Sequence, residues 1–503
     1  MPEVPEAESE GYGDVFENAR RDETVKLGKC HSHGSKAILR ATKSPRRYFA
    51  AMLHHPEPPR SIVPNAEDDA LGFFFLRYSL CHDLDVTCSF FGILPDMYAK
   101  SSLSSPLNHA TRALALRVTD LHRTHGGKPS VDGDLYAKAV SQVKDALAVP
   151  AQCRSDELLM ATLVLEAYDD ANTTFGKRED GASRSSTHLR GSIALLQYRG
   201  TLNYGDELSW RLVTATRNRL LHDSEHSANR AAGIEAVQNI WDCGGTDKPR
   251  GPAVEADTLA FRLSWLRHRA AITGSPIEVD YTEHLNGIVS QASHLANDCA
   301  VLQSTLPLSW QPASVPASSL AKSIQAISVY EHVTPTVYSQ LSIAHATNRQ
   351  RLTELGCISL IVSGLANIAM RDELHCKPPR GLLPSPLLVR AQILIDNICA
   401  SVPFLTGDVT ADTSSARPVL VPSVVRISSE GISGNRTLPE DITKHTQQVV
   451  ASGLYMMYIT LTAVLDLAGG DKMMDLLRPG QEQWIVGQID RLRAILPLAN
   501  VPI

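Results

Sequence analysis

Three groupings in the chain come closest to a pattern that could do chemistry. Cys30-His31-Ser32-His33 places three metal-competent side chains within one short run. Tetrahedral zinc needs a fourth ligand, and structural sites draw on two separated pairs, so a solvated polar leader accounts for these letters. Cys81 and Cys88 stand in FLRYSLCHDLDVTCSFF with His82, Asp83 and Asp85 between them. The flanking phenylalanines predict buried thiols packed as small apolar groups. His222 and His226, together in LLHDSEHS, would share a helical face beside Asp223 and Glu225. The His-Glu-x-x-His order of a zinc-bound helix is missing, and a polar helix end is expected instead. The chain holds no Gly-x-Ser-x-Gly, no phosphate-binding loop and no Gly-x-Gly-x-x-Gly after a strand. The expectation is therefore no catalytic residues, no cofactor-binding residues and no metal ligands, with no cofactor.

A basic stretch is the remaining chemical feature. Arg20, Arg21, Lys26, Lys29, Lys36, Arg40, Lys43, Arg46 and Arg47 gather against few acids. Clustered Lys and Arg release counterions when they meet a polyanion, so the arm could serve as a nuclear localisation element or a phosphate-contacting tail. A solvated, unstructured leader reads equally from the same letters. With a net charge of -6 on 503 residues, any DNA affinity has to be local, weak and non-specific.

Apolar residues make up 43% of the chain and charged residues 20%, which places it among globular proteins. Nine cysteines are scattered without regular spacing and no apolar run follows Met1, the pattern expected of an intracellular protein in a reducing compartment. The uncharged run Thr446–Leu465 is long enough to raise a membrane span. Its glutamines, glycine, tyrosines and threonines predict a buried core helix and no membrane.

Any site would have to be positioned by helices. The stretch from Asp156 to Gly200 opens with DELLMATLVLEAYDD, crosses a polar loop and closes with THLRGSIALLQYRG. Leu159, Met160, Leu163, Val164 and Ala167 form one apolar stripe, and Leu189, Ile193 and Leu196 form another, widened by Ala194 and Leu195. The spacing predicts a helical hairpin. Residues 1–66 predict a disordered, partly basic leader, and apolar density rises at Gly72, with an aromatic run up to a stop at Pro95. Helices are expected from Ser105-Pro106 to Gly126-Gly127 and from an Asp134 cap to Pro150. Further helices are expected in ELSWRLVTATRNRLLHDSEH, SANRAAGIEAVQNIW, ADTLAFRLSWLRHRAAI and Ile277–Leu302. Three more are expected between Leu320 and Pro403, then one over Asp441–Gly469 and a last one in EQWIVGQIDRLRAIL. Internal linkers are expected at 305–319 and 407–439, the second holding a short strand candidate in VLVPSVVRI. The fold class is all-α: a leader over 1–66 and a multi-helix array over 67–503.

The hairpin also carries a family likeness. Asp156, Glu157, Leu158, Leu163, Leu165, Tyr168 and Asp169, followed by His188, Leu189, Arg190, Gly191, Ser192, Leu195, Leu196, Arg199 and Gly200, resemble the regulatory domain of fungal-specific transcription factors. The helices Asn108–Leu121 and Tyr136–Leu147 and the run at Trp484 are similar to that domain, so the likeness spans Gly72–Ile503 with its detail in the hairpin. In that domain the motif is a packing device, with Gly191 admitting a neighbouring helix and Arg190 and Arg199 reaching carbonyls or acids. DNA-binding members carry an N-terminal zinc binuclear cluster of two Cys-x2-Cys pairs. This sequence has no Cys-x2-Cys, so DNA recognition by that route is not expected.

The resemblance implies a nuclear transcription regulator without its own zinc cluster, controlling a metabolic or biosynthetic gene cluster of secondary metabolism. Its expected partners are other transcription regulators or a second copy of itself, with an apolar small molecule as an additional ligand. The alternative is a cytoplasmic biosynthetic enzyme on the same helical scaffold, a cyclase, pericyclase or isomerase acting on an apolar small molecule. Such catalysis works by orientation and a few donors and leaves no motif.

Overall fold

The computed structural model describes residues 65–79, 90–124, 133–172, 187–200, 206–225, 251–272, 281–372, 385–411, 418–420, 445, 448–468 and 476–499. The chain divides into two units, Met1–Asp69 and Ala70–Ile503, and of the first only residues 65–69 are described. Among the described residues the protein is mostly helical, with almost no strand. The basic arm, Cys30-His31-Ser32-His33, Cys81, Cys88, His226 and the whole helix expected in SANRAAGIEAVQNIW lie outside these residues.

The first helix, α1 (Ala66–Tyr78), begins before Gly72, where the apolar density had suggested a start. Asn65 Oδ1 accepts the Glu67 N–H at 3.3 Å, and Glu67, Asp68 and Asp69 fill the first turn. A side-chain cap and acids at the positive helix end start a helix before its apolar face begins. Pro95 does not stop the aromatic run but sits in the first turn of α2 (Leu94–Lys100), where proline sacrifices no donor. α3 (Pro106–Thr124) starts as expected, with Ser105 Oγ accepting the Asn108 N–H at 3.1 Å. In α4 (Asp134–Leu147) Asp134 is the first helical residue and Gly133 the cap, without a side-chain cap bond.

The hairpin consists of α5 (Asp156–Asn172) and α6 (Thr187–Arg199), followed by α7 (Glu207–Glu225). α5 packs on α3, α4, α6 and α7, which buries it all round from Leu158 to Ala167 rather than along one stripe. A helix surrounded by four others has no solvent face, and its near-continuous apolar sequence fits that place. α6 ends at Gly200, whose φ of 70° is the left-handed conformation that glycine adopts at helix ends.

α7 leads to α8 (Pro252–Ile272), which packs on α9 (Tyr281–Thr305) and on α11 (Leu341–Asp372). Between α9 and α11 the run 305–319 is packed: Trp310 and Val315 are buried. Strand β1 (Ala313–Ser314) pairs antiparallel with β2 (Thr336–Val337) across the short α10 (Lys322–Ser328). α12 (Ser385–Leu405) runs two residues past Pro403, and β3 (Val409–Ala411) then pairs with β4 (Pro418–Leu420), which overlaps the start of the strand candidate VLVPSVVRI. A π-helical turn, Val449–Gly453, opens α13 (Leu454–Ala468), and α14 (Gln481–Ala499) packs on it. At that turn a Cβ on Gly453 would sit 2.7 Å from the Leu405 carbonyl oxygen, so only glycine permits the approach. One hydrophobic cluster unites α8, α9, α11, α12, α13 and α14.

The helix in the uncharged run, α13, buries Leu454, Met457, Leu461 and Val464 at helical spacing. Two other helices, Leu341–Ala369 and Pro386–Leu405, are long and apolar enough to cross a membrane, and about half of each apolar window is buried inside the protein, 50% and 56%. The core helix of a soluble protein passes the same test.

Candidate functional site

Two polar assemblies are built into this frame, and the first occupies the hairpin. Tyr136, on α4, donates its hydroxyl to Asp169 Oδ1 at 3.0 Å and lies 3.0 Å from His188 Nε2. Its ring stacks on Tyr168 at 4.5 Å between centroids. Asp169 closes the group, 3.5 Å from His188 Nε2. His188 Nδ1 is buried without a hydrogen-bond partner among the described residues. Burial pushes the imidazole down to about 4, so it is neutral at pH 7. At the other end of the hairpin Arg199 Nη1 donates to Asp156 Oδ1 at 2.8 Å, and Ser209 Oγ contacts both oxygens of the same carboxylate at 3.1 and 3.0 Å. Between the two ends, Thr162 and Ser192 join their hydroxyls across the helices at 2.8 Å. The family-like residues Asp156, Asp169, His188, Ser192 and Arg199 are thus interhelical fasteners, while Arg190 is exposed.

A neutral buried histidine makes stability depend on pH. Unfolding returns His188 to an ordinary value near 6.5, so below about pH 6.5 the unfolded chain binds more protons. The contribution is fully present above that pH and is lost as pH falls from about 6.5 towards about 4. A shift of this size corresponds to about 3 kcal/mol. The expected result is that His188→Gln flattens the fall in melting temperature between pH 6.5 and pH 4.5. An unchanged pH profile would mean that the imidazole is solvated.

The second assembly was missed by sequence reasoning. The N-terminal half of α11 reads HATNRQRLTE from His345 to Glu354, letters that suggest a solvent face. Thr347, Asn348, Gln350, Arg351, Thr353 and Glu354 are instead all buried. Arg349 Nη1 donates to Asn218 Oδ1 of α7 at 3.1 Å and to Asp257 Oδ1 of α8 at 3.0 Å. Arg351 Nη1 reaches the Tyr338 hydroxyl at 2.8 Å and the Asn397 carbonyl at 3.2 Å. Arg390 grips Glu354 through two bonds of 2.6 and 2.8 Å. Gln350 donates to the Cys299 carbonyl of α9, and Asn348 to Ser401 of α12, both at 2.8 Å. One helix thereby carries polar ties to four neighbours. Burial and the Arg349 charge push His345 down to about 3. The available signal was the density of ten polar-rich letters inside an otherwise apolar helix of 32 residues.

The chain matches no family model, no curated protein and no solved structure.

No group of three or more His, Cys, Asp and Glu side chains gathers as a metal site among the described residues. His222 falls in the last turn of α7, and its expected partner His226 lies outside the described residues. The cysteines described, Cys153, Cys299, Cys357 and Cys399, are buried free thiols. Hydrogen bonding to Cys357 together with burial pushes the Cys299 thiol far up, which makes it a packing group rather than a nucleophile. Chemically, both assemblies hold helices in register. Neither places a nucleophile beside a base.

Proposed function

We propose that this chain is a nuclear transcription regulator without its own zinc cluster, acting through protein partners at promoters of a metabolic or biosynthetic gene set. The observation that supports the reading is the use made of the family-like letters. Asp156 with Arg199, and Asp169 with His188 and Tyr136, clasp α5 to α6, α4 and the start of α7. A regulatory scaffold needs this from its signature, because the motif has to specify packing and not turnover. The basic arm supplies the only concentrated positive charge in the sequence and fits a localisation element better than a reading head.

The test compares the full chain with a form lacking residues 1–66, on promoter and scrambled duplexes at two salt concentrations, alongside chromatin occupancy in the cell. The full chain should bind both duplexes alike, with affinity falling steeply as salt rises, and should occupy promoters only when its partners are present. Tight, sequence-selective binding by the truncated form would overturn the reading.

A second reading, a biosynthetic enzyme on the same scaffold, draws on His188. A neutral buried imidazole, with Nε2 beside the Tyr136 hydroxyl and Nδ1 unmatched among the described residues, is a group able to accept a proton. Conversion of a cluster metabolite by the purified chain, abolished in Tyr136→Phe, would install this reading in place of the first.

A further inference from the structure

Side chains from three parts of the chain converge between α12 and α14. On α12, Gln392, Asp396 and Cys399 follow one another along a face; on α14, Gln481, Trp484 and Gln488 do the same. Gln392 Nε2 donates to Asp396 Oδ1 at 2.8 Å and to Gln481 Oε1 at 3.0 Å. Gln481 Nε2 returns a bond to Asp396 Oδ1 at 3.0 Å. Arg478 Nη2 holds Asp396 Oδ2 at 2.7 Å, so the carboxylate is neutralised. The third wall is the end of α10 and the segment after it. Gln488 Nε2 donates to the Ile327 carbonyl at 2.6 Å. The Tyr330 ring stands 5.4 Å from the Trp484 ring, tilted by 47°.

Within this group two donors have no partner among the described residues. The Tyr330 hydroxyl and the Trp484 indole N–H are both buried and both unmatched, and Tyr330 is only 3% exposed. Folding has stripped water from these groups without supplying an acceptor, and a donor left in that state costs its full desolvation. Two such donors on adjoining rings, amid polar groups that are otherwise matched, mark a place for an acceptor from outside the chain.

We propose that Tyr330 and Trp484 are the donor pair of a small-molecule binding site that takes a neutral, planar ligand bearing a carbonyl-type acceptor. Indole N–H only donates, which fixes the ligand atom as an acceptor. The two tilted rings, with His332 edge-on to Tyr330 at 5.3 Å, suit a flat body. Burial above all holds the Tyr330 phenol above its ordinary value. Asp396 and Arg478 are already paired with each other, so neither charge calls for an oppositely charged ligand. The site is built from α12, α14, the end of α10 and the segment after it and takes no residue from the hairpin, so it stands whether or not the regulator reading does.

Benzamide is the probe, with toluene as the counterpart lacking an acceptor, titrated into the full chain by calorimetry and followed by thermal shift. Benzamide should bind saturably and raise the melting temperature, with toluene weaker by roughly tenfold or more, because a site with unmatched donors rejects a ligand that leaves them so. Tyr330→Phe keeps the ring and removes only its unmatched donor, whereas Trp484→Phe removes the indole N–H together with part of the ring. Tyr330→Phe should leave the melting temperature of the unliganded protein unchanged or raised, and both variants should weaken benzamide by roughly tenfold. Equal affinity for benzamide and toluene, or no benzamide binding, would overturn the proposal. So would variants that lose stability while binding benzamide as before, the sign of donors that hold structural water only.

Discussion

Replacing Arg219 by methionine is expected to lower the unfolding free energy by about 3–5 kcal/mol, the usual result of breaking a buried ion pair from one side. Arg219, on α7, reaches Glu166 Oε1 at 3.2 Å and also bonds Asp170, four residues further along α5. The Glu166 side chain is 4% exposed and the Arg219 side chain 10%. Burial works against the charge on Arg219, but the two carboxylates outweigh it and hold the guanidinium above its ordinary value. Methionine fills much of the volume, so the loss is electrostatic and not a cavity. Glu166 would then be left charged in the centre of the hairpin with its strongest partner gone. The denaturation midpoint of Arg219→Met measures the loss, and the double variant Glu166→Met with Arg219→Met separates the causes. The double variant should recover most of the stability, since apolar replacements of a buried pair are often neutral. A cost of under about 1 kcal/mol for the single variant would place the pair among solvated surface bridges.

Leu196→Asp should abolish the folded state. Leu196 is 1% exposed, on the inner face of α6 with Leu189 and Leu195. A carboxylate there has no cation in the sequence designed to meet it, and burying it costs several kcal/mol, a large part of what a folded chain has to spare. The expected outcome is loss of soluble protein, or a circular dichroism melt without a cooperative transition. Tyr198→Asp is the control on the same helix. Tyr198 is 50% exposed, so the same charge two residues away should change stability by about 0.5 kcal/mol or less. If both variants melted alike, the packing face of α6 would be misassigned.

The difference between these neighbours was legible in the letters. Leu189, Ile193 and Leu196 recur at helical spacing, and the structure buries all of them. The hairpin, the start at Ser105-Pro106, the helix closing before Pro150 and the core role of α13 follow from caps and periodicity, which act over a few residues. Where the reading slipped, a local signal competed with another. Asn65 and the acids after it start α1 before the first aromatic, and Pro95 opens a helix where an apolar run seemed to end.

Sequence by itself determined the helical class, the place of the hairpin and which letters would pack, because backbone hydrogen bonding and apolar periodicity are local properties. Only the tertiary structure decided the fate of the polar residues. His345 to Glu354 has the letters of a solvent face and becomes a buried set of ties, since α8, α9, α12 and α13 close over α11. Arg349 meets Asn218, a partner 131 residues away. Glu166 meets Arg219 across 53 residues, and Gln488 meets Ile327 across 161. Whether a polar side chain is solvated, paired or left unmatched depends on what the rest of the chain brings to it, and no window of sequence contains that partner.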